Sequence, residues 1–429
     1  MNSFFEMLDG KLMPLATKIS SNRYLQALRD GMVLSMPLLI VGSMLLVITE
    51  FPIEAYQNTM VNLFGDGWKW FSDAGVSASI GLIAIFSIIG ISSALARYYG
   101  EDSTMASVLA LAAYFTVLVQ IENGGFAIKD FGAKGLFAGM LSAFIATEIY
   151  CRILKRNITI KMPEGVPPAI SKSFAALIPA GVILIVFLII RFIFANTSYE
   201  SLNNFVLNVL QIPLTGLTCT FGGIMVATFC SHFLWFFGIH GASIVGAVTG
   251  PMFQAAGIDN LEAFKGGFPI QNIVTQQFND IFQTYGGVGS TLALTFLLAF
   301  YCKSKQLKTL GKLTIAPGLF GINEPLVYGL PLVLNPIMAI PFFLCPLINV
   351  SLAYFAMKLG LISLTTGVQI TWSTPPLISG FLGTNDMRAV VLQAVCILIS
   401  LGVYYPFIRM LDKRYQVEEM KRNLVNDEG

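Results

Sequence analysis

Five stretches of predominantly apolar residues fall in the first half of the chain, near positions 28–49, 75–96, 104–121, 132–151 and 174–195. An α-helix of about 20 such residues crosses the hydrocarbon core of a bilayer. Lipid offers no partner for a free backbone N–H or C=O, so each stretch must close its hydrogen bonds within itself. Open sheet and loop are excluded at that depth, and helix remains.

Composition says that the pattern extends beyond these five. Hydrophobic residues make up 55% of the 429 and charged residues 12%, against about 25% charged in a soluble domain. One anchor cannot produce that deficit; many spans can. The formal charge of +2 and the lack of a basic block give no reason to expect nucleic acid. Cys151, Cys219, Cys230, Cys302, Cys345 and Cys396 stand singly in apolar surroundings. With no C-x-x-C pair they read as packing residues, so no metal, cofactor or disulfide framework is expected. Met1 to Arg29 mixes charge with apolar residues at helical spacing and lacks the short apolar core of a cleavable leader. It reads as an interfacial helix feeding the first span.

The basic residues set the orientation. One cluster is Lys11, Lys18, Arg23 and Arg29; a second is Arg152, Lys155, Arg156 and Lys161. A third is Lys303, Lys305, Lys308 and Lys312; the last is Arg409, Lys413, Arg414, Lys421 and Arg422. The positive-inside rule puts all of them, and both termini, in the cytoplasm. The first four spans connect two inside clusters, and the fifth ends outside near Asn196. An odd number of spans must then reach the lysines at 303–312, and an even number must follow. Ten spans satisfy this and place all the apolar chain.

Two segments of the second half are poor simple spans. Gly266 to Gly289 carries Gln271, Asn272, Gln276, Gln277, Asn279, Asp280 and Gln283, and Leu361 to Asp386 is rich in Ser, Thr, Gly and Pro. Irregular backbone at membrane depth is tolerated where protein buries it or where it lines a wet cavity. Both therefore read as re-entrant hairpins, the alternative being exposed loops. The expected fold is an all-α polytopic membrane protein with about ten transmembrane helices and two such hairpins.

Chemistry concentrates in four places. The run Gly321-Ile322-Asn323-Glu324-Pro325-Leu326-Val327-Tyr328-Gly329-Leu330-Pro331, with Asn335-Pro336, sets a carboxylate beside an amide in apolar sequence. An acidic residue at bilayer depth costs roughly 2.5–3.5 kcal/mol on insertion scales, so it normally faces the protein interior with a partner. The prolines break the helix. Glu324 and Asn323 suit sugar hydroxyls, which both donate and accept; equally, Glu324 could cap a broken helix. His240 lies between glycines in Trp235-Phe236-Phe237-Gly238-Ile239-His240-Gly241, either as a ligand-binding imidazole or as a satisfied core residue. His232 has only the second reading. Gly286-Gly287-Val288-Gly289-Ser290-Thr291-Leu292 would let a helix begin beside a polar ligand with free N–H groups; it lacks the Lys-Ser/Thr of a nucleotide loop. Trp372, in Thr371-Trp372-Ser373-Thr374-Pro375, offers a face for a pyranose ring, as does Trp235. Both tryptophans could instead be interfacial anchors.

Together these runs resemble the lactose/cellobiose/chitobiose family of phosphotransferase-system sugar permeases, the membrane component called enzyme IIC. Met13-Pro14, Leu28-Arg29-Asp30-Gly31 and Pro163 through Pro179 are similar as well, so the likeness spans nearly the whole chain. The resemblance implies ten spans, two hairpins, a homodimer in a bacterial cell membrane, and rigid-body movement of a substrate domain against a scaffold. Here it implies a scaffold over 1–212, a transport domain over 213–412 and a cytoplasmic tail over 413–429. It implies that His240 and Glu324 approach the 6-hydroxyl of a disaccharide such as cellobiose, chitobiose or lactose. Asn323 would bind an adjacent hydroxyl, and Trp235 and Trp372 would flank the rings. Phosphorylation would come from a separate soluble B component docking at the cytoplasmic face, since no phosphocysteine-bearing domain is read in this chain. The stretch from Ala242 to Phe278 is shorter than in chitobiose-type members, which leaves the choice of sugar open. A proton-coupled secondary transporter using Glu324 and His240 as a relay is the competing reading. An integral-membrane transferase would need a second catalytic group beside Glu324, and the sequence supplies none.

Overall fold

The apolar stretches of the first half fold as the helices their length demands. The computed structural model describes residues 21–49, 54–121, 124–163, 165–330, 332 and 335–427, so most of the expected N-terminal interfacial helix lies outside the described residues. Two compact units divide the chain, Met1–Leu217 and Thr218–Gly429.

The first unit contains α1 (Arg23–Thr49), α2 (Glu54–Phe64), α3 (Trp70–Ser79), α4 (Ile83–Tyr99), α5 (Ser103–Val117), α6 (Ala133–Lys155), α7 (Pro168–Ala175), α8 (Leu177–Ala195) and α9 (Leu202–Val206). A π-helical turn over Leu207–Gln211 leads into α10 (Ile212–Thr218), which ends at the unit boundary. Each of the five apolar stretches maps onto a helix. Small residues decide how closely they pack. Where α1 meets α4, a Cβ at Gly31 would lie 2.5 Å from Ile91, and one at Gly90 would overlap the Gly31 carbonyl. Without a hydrophobic drive between helices in lipid, such close backbone approach is what holds spans together. The turn between α4 and α5 is fixed at both ends. Gly100 closes α4 in the left-handed region (φ 76°), and the Asp102 carboxylate caps α5 by accepting from the Met105 N–H.

The second unit opens with α11 (Phe221–Phe236) and α12 (Gly241–Lys265), followed by α13 (Gln276–Phe282) and α14 (Leu292–Phe296), which runs into a π-helical turn over Leu297–Tyr301. Then come α15 (Lys305–Leu319), α16 (Glu324–Gly329), α17 (Pro336–Lys358), α18 (Ile378–Thr384) and α19 (Met387–Asp427). One core joins α14 and α15 to α17 and α19 around Leu294, Leu298, Met338 and Tyr404; another joins α11, α12, α13 and α17 around Phe253, Phe278, Phe282 and Val350.

Six helices among the described residues are long and apolar enough to cross a membrane, or seven if the pair Leu202–Thr218 and Phe221–Phe236, bent by 73°, counts as one. Ser103–Val117 and Leu292–Tyr301 are apolar but shorter. Helix α8 makes the need for a non-aqueous surround plain: only Pro179, Ile183 and Phe187 are buried along it, while Leu184, Ile185, Leu188, Ile189, Phe192 and Ile193 are exposed. A contiguous apolar surface of that size is not left to water.

Both polar segments of the second half are broken as their composition requires. Each is a stretch without regular structure followed by a seven-residue helix, α13 or α18. They hold one another. The Asn260 amide donates to the carbonyls of Asn272 (2.8 Å) and Thr365 (2.9 Å), and Gln277 donates to the Gly367 carbonyl at 3.1 Å. The hydroxyls of Thr275 and Thr365 meet at 2.9 Å. Buried Gln393 of α19 accepts from the N–H groups of Leu377 and Gly380 and donates to the Ile281 carbonyl. Polar residues at this density thus satisfy irregular backbone that no helix ladder can serve.

The end of the chain is not a loose tail. Helix α19 runs 41 residues to Asp427, about 60 Å at helical rise, roughly twice the hydrocarbon thickness. Its charged end grips the start of α15. Asp412 accepts from the N–H groups of Lys303 and Ser304, and Glu419 accepts from those of Lys305 and Gln306 and from the Ser304 hydroxyl. The first N–H groups of a helix have no intrahelical partner, and two carboxylates fill that place here.

Candidate functional site

The Asn-Glu-Pro run sits where α15 stops. Pro317 allows no i−4 bond, and the chain turns through Gly321 at φ 76° with the Ile322 N–H returning to the Pro317 carbonyl. Asn323 then starts the six-residue helix α16, with Glu324 as its first residue and Pro325 next, where proline's missing N–H costs nothing. The two neighbours part company. Asn323 is buried, and its amide donates to the Val288 carbonyl and to the Thr291 hydroxyl, both at 2.8 Å. Glu324 is exposed, and its carboxylate makes no hydrogen bond or ion pair with a described residue.

The glycine run is the mould for Asn323. Gly286, Gly287 and Gly289 all take positive φ, at 75°, 87° and 79°. A Cβ at Gly287 would stand 2.5 Å from the Asn323 Cγ and 2.8 Å from the Gly321 carbonyl. Only glycine combines that conformation with that approach. The expectation of free N–H groups at this helix start meets a different arrangement: the Leu292 N–H bonds the Tyr285 carbonyl, and the Ser290 N–H bonds that of Gly287. The loop wraps an asparagine and spends these two donors on itself.

Supports for the loop lie on distant helices. Tyr404 of α19 donates to the Gly289 carbonyl at 2.6 Å, and Asn349 of α17 donates to the Ser290 hydroxyl at 2.7 Å. Gln283 donates to Thr228 of α11 at 2.8 Å. Gln283 belongs to the polar segment already singled out in the sequence, whereas Tyr404 and Asn349 are solitary polar residues in apolar helices and carry no other signal.

His240 is exposed and caps α12. Its Nδ1 accepts from the Ser243 N–H at 3.2 Å and lies 2.8 Å from the Ser243 hydroxyl. In a neutral ring that bonding assigns the proton to Nε2, which is then a donor on the open side. The Trp235 ring lies 4.7 Å away, tilted by 51°. The preceding turn depends on Gly238 (φ 77°) and on Gly241, whose Cβ would overlap the Ser231 carbonyl. His232 is buried, with Nδ1 2.8 Å from the Thr228 carbonyl and its ring edge-on to Phe342.

The two tryptophans differ. Trp235 is 7% exposed with His240 against it, whereas Trp372 is 59% exposed and has an open face. A Cβ at Gly321 would lie 3.4 Å from the Trp372 ring, so Trp372 flanks the turn that delivers Asn323 and Glu324. Of the expected site residues, the structure joins Asn323 and Trp372 through the glycine-bearing turns, and pairs Trp235 with His240. No hydrogen bond, ion pair or ring contact joins His240 to Glu324 among the described residues. Glu324, His240 and Trp372 are all exposed, whereas Asn323 and Trp235 are buried.

Residues 29–346 match the family described as "Phosphotransferase system, EIIC". The lichenan permease IIC component of Bacillus subtilis is 40% identical over 99% of this chain and 97% of its own length. The cellobiose-specific EIIC component of Geobacillus stearothermophilus is 40% identical over 98% and 96%. Among solved structures, the transporter ChbC, the IIC component of the N,N'-diacetylchitobiose-specific phosphotransferase system, superposes with a TM-score of 0.94 at 39% identity, covering 96% of this chain and 99% of that one.

Proposed function

We propose that this chain, which belongs to the EIIC family of the phosphotransferase system, is the permease subunit that carries a β-linked disaccharide of the cellobiose or chitobiose class through a bacterial membrane. It presents the sugar's 6-hydroxyl for phosphorylation by a separate B component at the cytoplasmic face. The observation that carries this is the split between two adjacent residues: Asn323 locked in the glycine mould, Glu324 left open just after the Gly321 turn that Trp372 flanks. A hydroxyl moved from water to an apolar site without a partner loses roughly 2–7 kcal/mol. An acceptor carboxylate with a rigid backing recovers that loss, and the His240 Nε2–H supplies the complementary donor. Trp372 covers a ring face, while Trp235 fixes the imidazole from behind.

In this reading residues 1–212 are the scaffold through which two copies associate, and residues 213–412 carry the sugar. The broken segments 266–289 and 361–386 are re-entrant hairpins that complete a ten-span fold with both termini inside. Asn260, Gln277 and Gln393 bind those segments together, as a domain that moves as one body requires.

The experiment is uptake into vesicles holding the purified chain, with and without the phosphotransfer proteins and phosphoenolpyruvate. Disaccharide 6-phosphate should form inside only with both, and Glu324→Gln should abolish sugar binding while membrane insertion persists. Accumulation of unmodified disaccharide driven by a pH gradient would assign the chain to secondary transport instead.

A further inference from the structure

Outside the sugar site, charged groups gather at one end of three helices of the first unit. Helix α1 begins at Arg23, α4 ends at Tyr99 and α6 ends at Lys155. The candidate spans are bounded by the same residues, Arg23–Gly42, Ser72–Tyr99 and Ala133–Lys155. Their contact therefore fixes a level at which three apolar segments stop together. Lipid phosphates lie at that level.

The cluster is built around an aromatic ring and one carboxylate. The Arg23 guanidinium lies 4.5 Å from the centre of the Tyr99 ring, and the Lys155 ammonium 4.4 Å. The Tyr99 hydroxyl donates to Glu148 at 2.7 Å. Glu148 also pairs with Arg152 at 2.7 Å and with Arg23 at 3.7 Å. Two cations thus share one anion, and Lys155 joins them through the Tyr99 ring. Among the described residues that excess stands: Lys172 takes Asp102 at 3.1 Å, and Arg29 takes Asp30 at 2.7 Å.

Burial sorts the charges by depth. Glu148 is 14% exposed, whereas Arg23 and Arg152 are 44% and 65% exposed. The carboxylate is the more buried partner and the cations are the more exposed ones, with Arg23 also donating to the Tyr24 hydroxyl at 3.2 Å. An exposed group of cations, two charges in excess of Glu148, fits a phosphodiester. Along the same α1, Val33, Leu34 and Leu38 are exposed, so an apolar wall continues where acyl chains would run.

We propose that Arg23, Arg152 and Lys155, braced by Tyr99 and Glu148, bind the headgroup phosphate of an anionic phospholipid. Each basic side chain near a membrane surface contributes about 1 kcal/mol toward anionic lipid, a factor of about five. Two uncompensated charges give a preference of roughly 25-fold. The site does not depend on the sugar reading.

The test counts lipids bound to the purified full chain by native mass spectrometry, titrating phosphatidylglycerol against phosphatidylcholine in a neutral polyoxyethylene detergent. Wild type should prefer phosphatidylglycerol by about 25-fold. The pair Arg152→Gln with Lys155→Gln should bring the two lipids within a few-fold, and Arg152→Lys with Lys155→Arg should keep the preference. If the neutral pair does not fold, Lys155→Gln alone should lower the preference about fivefold. Equal binding of both lipids by wild type, or an undiminished preference in the neutral variants, overturns the proposal. Displacement of the lipid by millimolar inorganic phosphate would assign the cluster to a soluble anion and overturn it as well.

Discussion

Replacing Gly287 with alanine should damage sugar binding through a residue it does not replace. The glycine sits at φ 87°, and a Cβ there would lie 2.5 Å from the Asn323 Cγ and 2.6 Å from its Oδ1. A left-handed conformation costs an L-residue about 1–2 kcal/mol. Relieving the contact requires the loop or Asn323 to move by about 1–1.5 Å in all, since non-bonded carbons at optimal separation stand about 3.5–4.0 Å apart. Both Asn323 hydrogen bonds are 2.8 Å long, and each is worth about 1 kcal/mol net. We predict a total cost of about 2–4 kcal/mol, divided between stability and affinity.

The division can be measured. Calorimetric titration of a cellobiose-class disaccharide should show Gly287→Ala weakened by about 10- to 100-fold, since 1.4 kcal/mol is a factor of ten. Thermal unfolding reports the remainder. Asn323→Ala should weaken binding by itself, and in that background Gly287→Ala should cost little further affinity. A coupling energy of about 0.5–3 kcal/mol is the signature of two residues acting through one contact. Additive losses, or a Gly287→Ala protein with unchanged affinity, would refute the idea that the glycine run serves Asn323.

Three further outcomes are expected. His240→Ala should abolish disaccharide binding without loss of membrane insertion, and retained affinity in the same titration would remove the imidazole from the site. Trp372→Ala should weaken disaccharides by about 1–3 kcal/mol, by analogy with stacking of bases on aromatic rings; an equal loss for a ligand without a sugar ring would count against stacking. Asp102 is held below the usual carboxylate range, chiefly by the Met105 N–H and then by Lys172. Its contribution to stability is therefore complete above the unfolded-state value and is lost as pH falls through the lowered folded value. Asp102→Ala should cost about 1 kcal/mol at neutral pH, and its melting temperature should converge on wild type in acid; a constant offset down to pH 2 would show that the charge is irrelevant.

The parts of the fold legible in sequence are those set by a single strong constraint. Apolar length fixed the helices now seen as α1, α4, α5, α6 and α8, because lipid leaves the backbone no alternative. Pro325 and the glycines flanking His240 marked true breaks for an equally local reason. The glycine run showed only that something approached closely there. Its occupant, Asn323, comes from 36 positions away, and no local pattern encodes that pairing. The supports from Tyr404 and Asn349 were invisible for the same cause: each is one polar group in an apolar helix, and its meaning lies in the partner across the core. The charged end of α19 gave no local sign of its partners either: Asp412 and Glu419 accept from N–H groups and the hydroxyl of residues 303–306, more than 100 positions away.

That clasp and the mould around Asn323 act on the two ends of one helix. Helix α15 begins at Lys305 under the carboxylates of α19 and stops at Leu319, two residues before the Gly321 turn. The same α19 donates Tyr404 to Gly289. A single long helix therefore touches both the start of the element that delivers Asn323 and Glu324 and the loop that receives Asn323. Buried amides without partners cost about 1–3 kcal/mol each, so neither attachment can loosen freely while the other holds. The irregular turn bearing Glu324 is short, and it is fixed by regular structure on both sides. The backbone that carries Glu324 is thus held at both ends while its side chain is exposed, which in the proposed reading lets one carboxylate select one sugar hydroxyl.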